Sequence, residues 1–253
     1  IITIFFYKEP PREVQTETLG QKFRAIATTL ADGKFALFLI LLGVFFWIPF
    51  WAFFNLCALY VDSNIDTAKL YLNLRSVFGQ GFADFFSQVD KDGVRRVLGE
   101  TISHTGYIIM ILQLGVSRVF EKMRALPSFM VGLAVAAVGL VVLGIARSGP
   151  PALVFLGIFF FAVGEMISSP RIQEYITWIA PKEKAGLYMG SNFLAVMIGG
   201  FFSGLLYTTL YGRLSNAGAP QQVWYIMAAH LVLGVIAFWI FVRVAGEFKE
   251  QQA

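Results

Sequence analysis

Charge is scarce in this chain of 253 residues: only 14% are Asp, Glu, Lys or Arg, against 57% hydrophobic and 16% aromatic residues, with a mean hydropathy of +0.67. That balance excludes an ordinary soluble domain and points to an integral membrane protein. Cysteine is scarcer still. Cys57 stands alone, so no intramolecular disulfide can form, and its place in an apolar run makes it a packing residue. Neither His104 nor His230 has a second histidine or a carboxylate at metal-ligand spacing, which leaves helix-packing hydrogen bonds as their reading. Also missing are a His-Glu-x-x-His run, a Gly-x-Ser-x-Gly elbow, a mid-span carboxylate pair, and flavin, nicotinamide or nucleotide motifs. The expectation is a protein that is not an enzyme and that uses no cofactor or metal.

What the chain has is long apolar runs, at 35–61, 102–120, 128–146, 153–180, 185–211 and 223–244. Each is long enough to span a bilayer as a helix, so an all-α membrane protein with a six-transmembrane-helix bundle is expected over 35–253. Residues 1–6 read as the end of a preceding transmembrane helix, and the chain as a fragment. Residues 7–34 read as a cytoplasmic linker. Within it, 17–30 places Leu19, Phe23, Ile26 and Leu30 at helical spacing, for a helix that lies on the membrane face or joins two bundles, ended by Asp32-Gly33. The one long loop, 62–100, carries Phe78, Phe82, Phe85 and Phe86 among charges, as short amphipathic helices resting on headgroups would. It reads as a lid or structural insert.

Lys and Arg divide unevenly between the two sides that these spans define, thirteen on the side of both chain ends and seven on the other. The positive-inside rule then sets both ends in the cytoplasm, in the cell (inner) membrane. The net charge of +4 needs no nucleic-acid partner, because this bias and anionic headgroups account for it.

Glu165 lies midway along the apolar run 153–180, which at about 1.5 Å per residue is about 40 Å long. A carboxylate near the bilayer centre is costly unless it meets water or a partner, and such groups mark substrate or proton paths. The alternative is a structural carboxylate bonded to Ser168, Ser169 or backbone loosened by Pro170. Pro49 and Pro170 interrupt the hydrogen-bond ladder in the opening helices of two three-helix groups, as two inverted three-helix repeats with a site between them predict. Asn55 either bonds across helices or touches substrate, and Trp47 and Trp51 are core or cavity wall. Tyr188 and Asn192 share one helical face. Arg171 and Glu174, one turn apart, suit a local ion pair. Gly200–Gly204, Gly199–Ser203 and Gly132–Ala136, each four apart, suit close helix packing.

The string GEMISSPRIQEYITWIAP at 164–181, followed by KEKAGLYMGSNFLAVMIGGFFSG, resembles the tenth and eleventh helices of a major facilitator superfamily transporter. More narrowly it is similar to the proton-dependent oligopeptide transporters, with Gly-Glu, Ser-Pro, a later Ala-Pro and a Met-Gly helix. The resemblance covers nearly the whole chain and implies the C-terminal half of a twelve-helix fold. It implies proton-coupled symport of a small solute such as a di- or tripeptide, with a drug, sugar or organic anion as the alternative cargo. Glu165 would face the peptide amino group and take part in proton coupling, with Ser169, Asn55, Trp51, Tyr188 and Asn192 toward the cavity. The partners implied are the lipid bilayer, an N-terminal six-helix bundle of the same protein, the solute and protons. The chain departs from the family at Leu56, which follows the amide Asn55 where a glutamine is usual, and at Asn192, near the place of a tryptophan.

Overall fold

A computed structural model of the chain describes residues 18–249, so the helix end expected at 1–6 lies outside the described residues, as does the linker up to residue 17. The first helix, α1 (Leu19–Leu30), starts at a capping box. Thr18 Oγ1 accepts the Gln21 N–H at 3.4 Å, and Gln21 Oε1 accepts the Thr18 N–H at 2.8 Å. Asp32 then caps α2 (Gly33–Asn64), its Oδ1 accepting the N–H groups of Lys34 and Phe35 at 3.0 and 3.3 Å. Pro49 has no N–H to give the helix ladder. α2 nevertheless stays continuous, through a π-helical turn at Gly43–Trp47 in which Ile48 N–H reaches back to the Gly43 carbonyl.

Between α2 and the next apolar segment lies the insert. Its helix α3 (Thr67–Phe78) begins at Asp66, whose carboxylate accepts the Lys69 N–H at 3.0 Å, and stops at Gly79, where φ is +84°. After α4 (Gln80–Phe85) comes a feature that an all-α expectation omits, an antiparallel hairpin of β1 (Ser87–Val89) and β2 (Arg95–Val97) with Gln88 opposite Arg96. Asp90 makes the turn: its Oδ1 accepts the N–H groups of Asp92 and Val94, both at 2.9 Å, and Gly93 takes φ +77°.

The apolar run 102–120 is not one helix. It divides into α5 (Gly99–Ser103) and α6 (Gly106–Phe120), with His104 extended between them. Four residues of modest or poor helix propensity in a row, Ser103-His104-Thr105-Gly106, are the physical reason. At 15 residues α6 is about 22 Å long, short of a bilayer core. The remaining elements are α7 (Ala125–Ala146), α8 (Leu153–Ile179), α9 (Ala185–Asn216, with a π-helical turn at Gly204–Thr208) and α10 (Gln222–Ala245). Among the described residues five helices, α2, α7, α8, α9 and α10, are long and apolar enough to cross a membrane. The chain is thus a helical, membrane-type fold.

Its core lies among α2, α7, α8 and α10 and is built of aromatic rings. Phe53 and Phe161 stack with centroids 3.7 Å apart, and Phe46, Phe129 and Phe238 follow edge to face. α7 and α8 meet along a glycine seam. A Cβ on Gly164 would come within 2.6 Å of the Gly132 carbonyl and the Ala136 nitrogen, and one on Gly139 within 2.6 Å of the Gly157 carbonyl. The two backbones touch. Gly199 meets Trp47 in the same way, whereas around Gly200 and Gly204 nothing lies within 4 Å of an added Cβ, so the packing expected of that pair is not made among the described residues.

Both ends of the bundle are tied. At one, Asp62 Oδ1 of α2 accepts the Gly99 N–H at 2.7 Å, and Asn64 Nδ2 donates to the Tyr211 hydroxyl at 2.9 Å. At the other, Gly246 (φ +71°) turns the chain back so that Glu247 pairs with Arg124 and Lys34 Nζ donates to the Glu247 carbonyl at 2.9 Å. The Phe248 ring sits against Phe38 and under Lys34, and its N–H donates to the Tyr175 hydroxyl at 3.1 Å.

Candidate functional site

Glu165 is the thirteenth residue of the 27-residue α8, next to Gly164 of the glycine seam. It is half-buried. Thr105 holds it: the hydroxyl of this buried residue, at the start of α6, donates to Glu165 Oε2 at 2.8 Å. The other oxygen, Oε1, takes no hydrogen bond from the described residues, and no cation among them pairs with the carboxylate.

Beside the carboxylate is a cavity of about 160 Å³, lined by Phe46, Trp47, Phe50, Trp51, Phe54, Glu165 and Ser169. Its walls are aromatic because α2 presents these rings where the π-helical turn passes into the turn holding Pro49. Glu165 and Ser169, one helical turn apart, form its polar side. The Trp47 indole N–H is buried without a hydrogen-bond partner among the described residues. An aromatic box of this kind with one carboxylate suits a small solute carrying a cationic or hydrogen-bond-donating group.

Pro170 remains inside α8 without ending it. Lacking an N–H, it leaves the Met166 carbonyl, four residues back, without its usual donor. Gln113 Nε2 of α6 supplies one at 3.4 Å, and also donates to Ser117 Oγ at 2.9 Å. The short α6, none of whose side chains is buried, is therefore fastened to α8 by polar contacts at Thr105 and Gln113 and by Arg171, whose guanidinium donates to the Phe120 carbonyl. Arg171 also pairs with Glu174 at 2.5 Å.

The structure thus brings Glu165, Ser169 and Trp51 together at one cavity. Asn55 lies one turn from Trp51 on the exposed face of α2, where its Nδ2 donates to Ser203 Oγ at 3.3 Å. Tyr188 and Asn192 do not line this cavity. Tyr188 packs on Phe35, with centroids 4.6 Å apart, and Asn192 is buried with Oδ1 taking no partner among the described residues. Ser168, one of the partners that the structural alternative offers Glu165, donates instead to the Phe129 carbonyl of α7 at 3.4 Å. The histidines separate: His230 Nδ1 lies 2.7 Å from the Tyr207 hydroxyl, while His104 is exposed at the break and makes no hydrogen bond among the described residues. Sequence reasoning missed Thr105, Gln113 and the ring set Phe46, Phe50 and Phe54. The rings had a signal, since residues 46, 50 and 54 recur every four positions along one face; Thr105 had none.

Among the described residues, no three His, Cys, Asp or Glu side chains are grouped to hold a metal ion. Compared with family models and with curated proteins, the chain matches none.

Proposed function

We propose that this chain is the helical half of a secondary active transporter that couples movement of a small solute to protons through Glu165. The observation that carries the reading is a mid-helix carboxylate beside an aromatic cavity, with one oxygen held by Thr105 and the other without a partner among the described residues. A carboxylate there exchanges charge for neutrality on binding a proton, and the neutral form removes the penalty of closing the cavity around it. In this reading α5 and α6 together form the sixth crossing, and the sparsely buried α6 and α9 face a second helical bundle. Both ends of the chain lie in the cytoplasm. Resemblance to the oligopeptide transporters favours a di- or tripeptide as cargo, with its amino group toward Glu165.

The test is uptake into vesicles containing the full-length protein under an imposed pH gradient, with a dipeptide panel and with sugars and organic anions as controls. Glu165→Gln is expected to abolish gradient-driven accumulation while leaving solute exchange at equal pH. Accumulation that persists unchanged in that variant removes Glu165 from coupling, and chemical turnover without net flux makes the protein an enzyme.

A further inference from the structure

A second cavity, of about 400 Å³, opens on the groove between α9 and α10, remote in sequence from every residue around Glu165. Its wall is apolar along Leu206, Leu210 and Ile226, and its rim carries Thr209 and Arg213. The floor is closed by the hydrogen-bonded pair Tyr207 and His230, which satisfy one another and leave the rim as the recognising edge. The π-helical turn at Gly204–Thr208 places Tyr207 on that floor.

Arg213 is the informative residue. It is exposed near the end of α9, and its guanidinium makes no ion pair or hydrogen bond among the described residues; no carboxylate lines the cavity. From Leu205 to Arg213 the groove runs about 12 Å along the helix axis, apolar toward the middle of the span and cationic at its end. That polarity matches one kind of molecule that a membrane helix always meets, a lipid whose acyl chains lead through glycerol to a phosphate. We propose that the α9–α10 groove binds an anionic glycerophospholipid from the leaflet nearer the insert, one chain along Leu206 and Ile226 and its phosphate at Arg213. The proposal rests on α9 and α10 crossing a bilayer with this groove on the lipid side of α9, apart from the face turned to a second bundle, and it needs no transport step. A net negative headgroup is favoured over a zwitterionic one because the latter brings its own cation to an unpaired arginine.

The test is native mass spectrometry of the purified protein in neutral detergent, titrated with phosphatidylglycerol, with phosphatidylcholine of the same chains, and with glycerol phosphate as the chainless headgroup. The wild type is expected to bind one phosphatidylglycerol about fivefold more tightly than phosphatidylcholine, the worth of one cation at a membrane surface. Arg213→Gln is expected to abolish that preference while both lipids still bind, and Ile226→Trp, which fills the groove, to weaken both. No preference in the wild type, a preference unchanged in Arg213→Gln, or lipid binding untouched by Ile226→Trp overturns the proposal. Glycerol phosphate competing as well as the lipid overturns it too, in favour of a site for a free anion.

Discussion

The side chain that decides how Glu165 behaves is one that the sequence does not advertise. Thr105 is 60 residues away, and a lone threonine in an apolar run carries no signature of a carboxylate partner. Its hydroxyl is the one hydrogen bond Glu165 receives from the described residues, so losing it matters more than the loss of an ordinary surface bond. Thr105→Ala is expected to cut proton-driven uptake roughly tenfold, the worth of a hydrogen bond to a charged group, and Thr105→Ser to restore most of it. Equal rates in wild type and Thr105→Ala would show that the contact orients nothing. Glu165 itself was legible, because a carboxylate in mid-span stands out against hydrocarbon; which oxygen is held, and by what, depends on a helix break that hydropathy does not register. Ser168 illustrates the opposite case. It has the spacing to reach Glu165, yet α7 lies so close that the Phe129 carbonyl takes its hydroxyl. Ser168→Ala is expected to lower stability by only about 0.6 kcal/mol, the average for such bonds between membrane helices, read by thermal melting in detergent.

Helices α7, α8 and α10 follow closely from their long apolar runs, since length and hydropathy are what a bilayer selects. The run 102–120 misleads because averaging over its apolar residues hides Ser103-His104-Thr105-Gly106, where propensity and a polar contact to α8 outweigh hydropathy. The hairpin in the insert was open to reading from Asp90-Lys91-Asp92-Gly93, a turn signal between short alternating segments. Arg96 Nε donates to Asp90 Oδ2 at 2.5 Å, and together with the Val94 and Asp92 amides it holds the Asp90 carboxyl below its usual value. A lowered folded-state value means that the stabilisation is fully present above the unfolded carboxyl's value and is lost as pH falls through the folded one. Hydrogen-exchange protection of the Val94 amide, corrected for the intrinsic rate, is expected to hold down to about pH 4, the ordinary carboxyl value, and to drop as the pH falls further. In Asp90→Asn that drop should vanish. The glycine seam makes the sharper demand: Gly164→Leu has to displace the α7 backbone, and a loss of about 1–3 kcal/mol or more is expected on thermal melting. Gly200→Leu, with open space around it, is the matched control and should change little.

Over the whole molecule, the returning tail at Gly246 to Phe248 ties the starts of α2 and α7 to α8 through Lys34, Arg124 and Tyr175. Phe248→Ala removes a half-buried ring and its contact with the Lys34 cation, and is expected to lower stability by about 1–3 kcal/mol, less than a fully buried phenylalanine would. If the melting temperature stays at the wild-type value, the tail is only lying there. The seam between α7 and α8 has a further consequence for any large motion. Backbones that touch at Gly132, Gly139, Gly157 and Gly164 have no room to slide and lose their closest contacts on splaying, so these two helices travel as one strut. Bending is then left to the paired soft spots elsewhere, the widened turns of α2 and α9, and spin labels across α7 and α8 should keep a fixed separation while labels spanning those turns do not.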